Sequence, residues 1–133
     1  MAFKLFSTRD GASPPYEYYL MTDSEAVTIG EALVQTSGRL TKCGADATPE
    51  FIAVNTQAAE ATAVTPVPVI RVTEMQEWSN TSNATVADTL VGNKVTLHTD
   101  GLVVTATTSS GVFLITYTDG ATTTSSVRGI FRR

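Results

Sequence analysis

The chain has 133 residues, 42% hydrophobic and 17% charged, with a formal net charge of −4 and a pI of about 4.8. That length suffices for one domain with its own core. No basic stripe runs through it, so nucleic acid is not an expected partner, because neutralising phosphates needs clustered Lys and Arg; no stretch approaches the roughly 20 apolar residues of a membrane helix, so no membrane partner is expected either.

Thr alone, with 23 residues, outnumbers the nine basic and thirteen acidic residues together. Branching at Cβ stiffens Thr, Val and Ile at χ1 and suits them to pleated, half-buried surfaces. The composition therefore points to an all-β domain and away from a helical bundle. The one cysteine, Cys43, rules out an internal disulfide and fits a reducing compartment.

Residues 1–26 differ from the rest of the chain. "MAFKLFSTRDG" has no apolar run of signal-peptide length, because Lys4, Ser7 and Arg9 interrupt it. Pro14 and Pro15 favour an extended, polyproline-like path. Tyr16, Tyr18 and Tyr19, within four residues, are too apolar for a solvated linker. The expected arrangement is an extended N-terminal arm over 1–26 beside a single β domain over 27–133. The arm would lay Phe3, Leu5, Phe6, Pro14, Pro15, Tyr16, Tyr18 and Tyr19 on another surface. The alternative is an arm folded back on its own domain.

From Val27 short strands are expected. Residues 27–29 lead to Gly30, 32–34 come next, Thr36-Ser37-Gly38 turns, and 39–42 alternates with Leu40 inward. After a loop over 44–49, "EFIAVNTQ" (50–57) reads as a buried strand. "AAEATA" (58–63) is too short to hold a helix alone and suits a wide turn. "VTPVPVIRVTEMQEW" (64–78) is β again, with Pro66 and Pro68 pushing its start to a sheet edge; Trp78 closes it as a core plug or an interface anchor. "SNTSNATVAD" (79–88) reads as a polar loop. Strands over 90–97, 102–107, 112–118 and 127–131 complete the chain. Asp100-Gly101 and Asp119-Gly120 are hairpin signals, since both positions tolerate positive φ.

The chain also repeats itself. Gly30 aligns with Gly92, Leu33 with Val95, Gly38 with Gly101 after one inserted residue, Leu40 with Val103, and Phe51 with Phe113. Each unit ends on an apolar-Arg pair, Ile70-Arg71 and Val127-Arg128. The four glycines are read as structural turns. Two such pseudo-repeated units close one core as a small β-barrel or sandwich.

Side chains for catalysis are sparse. The one histidine, His98, stands beside a turn with nothing in sequence to orient it. Cys43 in "TKCGAD" reads as a small strand-end hydrophobe. No ligand spacing supports a metal, and "GADATPE" lacks the Lys and following helix of a phosphate loop. The reading is of a protein that is not an enzyme and needs no cofactor or metal. Arg128, Arg132 and Arg133 form a small basic C-terminus, read as a solvated tail with a docking role as the alternative.

The pattern G-x-A-L-V-x-T-S-G-x-L-x-K, then T-P-E-F-I-A-V, P-V-I-R-V and G-x-K-V-T-L-H-T-D-G-L-x-V-T-A-T, resembles capsid decoration (cement, head-stabilising) proteins of tailed bacteriophages. The matching residues are 30–42, 48–54, 68–72 and 92–107, and "MAFKLFSTRDGA" with "PPYEYY" is similar to the N-terminal arms of such proteins. The resemblance implies a barrel or β-tulip-like domain on the outer surface of the expanded head, made in the host bacterial cytoplasm. It implies binding to the major capsid protein, bridging of capsomers, and self-association, commonly as a homotrimer. On this reading, deleting residues 1–20 is expected to leave a folded domain that no longer binds heads. Rival readings are another virion component (a head-fibre base, tail-tube or tail-completion protein) and a carbohydrate-binding β module.

Overall fold

The computed structural model describes residues 2–132; Arg133, one of the three C-terminal arginines, lies outside them. The described strands are β1 (Lys4–Thr8), β2 (Tyr16–Tyr19), β3 (Ala32–Thr36), β4 (Arg39–Lys42), β5 (Phe51–Ala53), β6 (Val67–Arg71), β7 (Gln76–Thr81), β8 (Lys94–Val95), β9 (Phe113–Thr118) and β10 (Ser126–Phe131). One 3-10 turn stands at Asp88–Leu90. The strands form two five-stranded antiparallel sheets packed as a small sandwich. Sheet I has the order β1-β7-β10-β9-β8 and sheet II the order β2-β6-β5-β3-β4.

The repeat in the sequence is a repeat of strand order. β2-β6-β5-β3 in sheet II has the same connectivity as β7-β10-β9-β8 in sheet I. The hydrogen bonds match one for one. Gly30 N–H donates to Ala53 O and Gly92 N–H to Ile115 O, each at 2.8 Å; Glu50 N–H donates to Leu33 O and Val112 N–H to Val95 O, each at 2.9 Å. Leu33 pairs with Phe51 as Val95 pairs with Phe113.

Two of the sequence alignments shift. Leu40 bridges Met21 in parallel, and its counterpart in that role is Val104, which bridges Ser82, rather than Val103. The tight Ser37-Gly38 turn is answered by a longer loop over 98–103. Phe51 pairs with Arg71 whereas Phe113 pairs with Phe131, so Arg71 corresponds to Phe131 and not to Arg128.

Alternation builds the core. Phe51 and Ala53 point to one face of sheet II and Ile52 to the other. Ala32, Ile52 and Ile70 face sheet I, where Trp78, Phe113, Ile115 and Phe131 complete the main cluster. Leu33, Phe51, Ala53, Val67 and Val69 form a second cluster with Met21, Val27 and Leu40. The Met21–Leu40 bridge draws the edges of sheet II together around that cluster.

The described part of the first 26 residues, from Ala2, is built into this frame, which corrects the division into arm and domain. β1 pairs with β7 and β2 with β6, and β2 occupies in its unit the place β7 has in the other. Phe3 is 2% exposed, its ring centre 5.6 Å from that of Phe113 and 4.9 Å from that of Phe131. The apolar residues that suggested contact with another surface are in part satisfied inside their own chain. Removing residues 1–20 strips an edge strand from each sheet and Phe3 from the core, so a folded remainder is no longer the expectation.

Other segments also differ from the sequence reading: β6, with Pro68, lies between β2 and β5 rather than at a sheet edge, and the strand expected over 90–97 is only Lys94–Val95. β7 extends to Thr81, and Asn80, Ser82 and Val86 are buried, so 79–88 is not simply a polar loop. The Ser82 hydroxyl faces inward because a backbone partner satisfies it, Ser125 N–H donating to Ser82 Oγ at 2.9 Å beside the Ser82 N–H to Ser125 O bond at 3.0 Å, whereas the buried Thr81 Oγ1 has no partner among the described residues. Asp119-Gly120 opens a loop over 119–125 rather than a two-residue turn, with Asp119 Oδ1 accepting from Ala121 N–H and Ser126 N–H. The expected strand over 102–107 reduces to bridges at Val104. Trp78, 1% exposed, is a core residue.

Candidate docking surfaces

Two places on the molecule collect exposed aromatic rings, and strand alternation creates both. In β2, Glu17 and Tyr19 share one face and Tyr16 and Tyr18 the other. The Tyr19 ring centre lies 5.2 Å from that of Phe51, and its hydroxyl donates to Glu17 Oε1 at 2.6 Å. Arg71 donates from Nε and Nη2 to the two Glu17 oxygens, each at 2.9 Å, and its guanidinium lies 4.9 Å from the Phe51 ring centre. The Arg71 guanidinium, helped by the Tyr19 hydroxyl, holds the Glu17 carboxyl below the usual carboxylate range. These contacts fasten β2 to β6 and leave Tyr16 and Tyr18 projecting, 55% and 62% exposed, from the edge strand.

On sheet I, a register shift in β1 between Leu5 and Ser7 leaves Leu5 against the core and Phe6 half-exposed outside. Phe6 lies 4.4 Å from the Arg128 guanidinium carbon, and Tyr117 lies 3.9 Å from it on β9. Alternation from Phe113 and Ile115 would point Tyr117 into the core. A bulge in the β9–β10 ladder pairs Arg128 with Tyr117 but Gly129 with Ile115, and turns Tyr117 outward. Gly129, a glycine inside a strand, stands at that shift and is its sequence signal; strict alternation over 112–118 passes over it and so misses Tyr117.

The residues expected to anchor an arm thus divide. Phe3 is in the core, Leu5 and Tyr19 pack against it, and Phe6, Tyr16 and Tyr18 are displayed. Pro14 and Pro15 line, with Glu17, Arg71 and Gln76, a cavity of about 260 Å³ where β1 crosses to β2. All four turn glycines have positive φ. Gly30 also lies against the N-terminal strand: a Cβ there would stand 2.9 Å from Phe3 O, whereas at Gly92 it would meet open space.

The chemically reactive side chains lie elsewhere. Cys43 is fully buried, and burial pushes its thiol up to about 12. His98 is on the surface, its Nδ1 3.2 Å from Asp100 Oδ1. Glu31 is 3% exposed; its Oε1 accepts from Thr28 N–H, its Oε2 has no partner among the described residues, and burial raises its pKa. Arg132 is not a free tail residue, since it pairs with Glu74 at 3.2 Å. Among the described residues no cluster of His, Cys, Asp and Glu is arranged to hold a metal ion, and no helix is long and apolar enough to cross a membrane. No protein-family model matches the chain, and no curated protein matches it.

Proposed function

We propose that this protein is a virion structural protein that docks on the outer surface of a phage capsid and stabilises the expanded head by bridging capsomers. The observation that carries the reading is the display of Phe6, Tyr16 and Tyr18 on outermost strands of a rigid two-sheet domain, within the segment whose sequence resembles decoration-protein arms. Aromatic anchors dominate interface energies, and rings already fixed on strands lose little entropy on docking. The free sides of β1 and β2 also offer unpaired backbone groups to a neighbouring strand. The major capsid protein is the partner in this reading. Self-association, as a homotrimer, multiplies weak single contacts through effective concentration.

The test is co-sedimentation of the purified chain with expanded heads that lack it, with unexpanded proheads alongside. Saturable binding to expanded heads alone is expected. Absence of binding to either sinks the reading and favours a tail or fibre component.

A further inference from the structure

We propose that the outer face of sheet I carries a receptor for a carboxylate, in which Arg128, backed by Phe6 and Tyr117, takes an Asp or Glu side chain from an acidic segment of a protein partner. Only the partner's identity rests on the capsid reading.

The chain contains its own template. Arg71 is backed by the Phe51 ring and takes the Glu17 carboxylate through two parallel hydrogen bonds. A guanidinium stacked on a ring keeps its N–H donors for such a fork. Arg128 has the same backing twice over, at 4.4 Å and 3.9 Å. Among the described residues its side chain, like that of Arg9, makes no hydrogen bond and no ion pair, whereas Arg39, Arg71 and Arg132 each have a carboxylate; of the two, only Arg128 is backed by rings. Glu77, on the same face of β7 as Ser79, is taken by hydroxyls: Ser7 donates to one oxygen at 3.3 Å and Thr116 to the other at 2.6 Å.

The surroundings favour an anion. Ser79 pairs with Lys4 on one side and Arg128 on the other, which sets two cations in a row across three strands. Lys4 also has no carboxylate partner among the described residues. Both lie in an open depression of about 590 Å³ with Phe6 and Tyr117. Two cations against the one carboxylate of Glu77 leave this face with a positive excess on a chain with net charge −4. Two cations are too few to track a phosphate backbone, which needs clustered Lys and Arg, and they suit the one or two carboxylates of an acidic protein segment.

The experiment titrates the full chain with an end-blocked hexapeptide carrying adjacent glutamates, and separately with its glutamine counterpart. Binding is read in the wild type from the NMR signal of Arg128 Nε–H, assigned by its loss in Arg128→Gln, and in wild type and Arg128→Lys alike from the backbone amides of Ser79 and Tyr117, which pair with position 128. Expected is a saturable shift with the glutamate peptide alone, weakened about tenfold in Arg128→Lys, which keeps the charge but loses the fork. No shift, or equal shifts with both peptides, overturns the proposal; because the decisive titration uses the wild-type chain, a variant that misfolds does not blur it. Head binding is scored separately: glutamate recognition without head binding keeps the receptor and sinks the capsid reading, and head binding without glutamate recognition does the reverse.

Discussion

Gly30 and Gly92 form a matched pair for measuring how firmly the N-terminal strand is held. Both have positive φ, 84° and 92°, and both donate to the equivalent carbonyl at 2.8 Å. Gly92→Ala adds a Cβ that meets nothing within 4 Å, so its cost is that of the backbone conformation, about 1–2 kcal/mol. Gly30→Ala incurs the same cost and also sets a Cβ into Ala2 Cβ and 2.9 Å from Phe3 O. Relief requires moving the start of β1, whose Phe3 N–H donates to Gly30 O at 3.0 Å and whose Phe3 ring is in the core. Overpacking of this kind adds about 1–3 kcal/mol. Urea unfolding of both variants should therefore separate their midpoints by about 1 M, Gly30→Ala being the weaker. Equal destabilisation, or a greater effect at Gly92, would refute the placement of the N-terminal segment inside the domain.

Phe3→Ala should cost about 3–5 kcal/mol, because the ring is buried against Phe113 and Phe131; a loss below about 1 kcal/mol in chemical unfolding would return residues 1–8 to the status of a loose arm. Burial raises the Glu31 pKa, so its contribution is fully present below the ordinary carboxylate value and is lost as pH rises through the raised one. Glu31→Gln should therefore gain on the wild type as pH rises above the ordinary carboxylate value of about 4 in paired urea melts, and a pH-independent difference would contradict this. Cys43, with its thiol raised to about 12 by burial, should resist alkylation at about pH 8 until the protein unfolds, and rapid labelling of the native chain would place it at the surface.

Much of the fold was legible because the information was local. Thr- and Val-rich alternation announced strands, and the glycines that recur with the repeat mark the same hydrogen-bonded turn twice, at Gly30 and Gly92. What stayed hidden depended on partners distant in sequence. Tyr16–Tyr19 looked like an arm because its prolines and rings precede the first recognisable repeat residue, yet its place in sheet II is fixed by β6, about fifty residues away. The polar string at 79–82 concealed a strand because Ser82 is satisfied by Ser125. Of the candidate surface, Phe6, Tyr16 and Tyr18 were readable as apolar residues without a local role. Arg128 was readable as a basic residue near the C-terminus, but its meeting with Tyr117 was not, because a register shift between β9 and β10 turns that ring outward.

The central claim is that the rings on the N-terminal strands are the docking surface. Its most direct test is saturation binding of wild type and Tyr16→Ala/Tyr18→Ala to expanded heads, each chain first shown to have the same strand signal by circular dichroism. The two tyrosines are exposed and on an edge strand, so the variant should fold. Expected are saturable binding by the wild type and a loss of at least about tenfold in affinity for the variant. Equal binding by the two chains would contradict it.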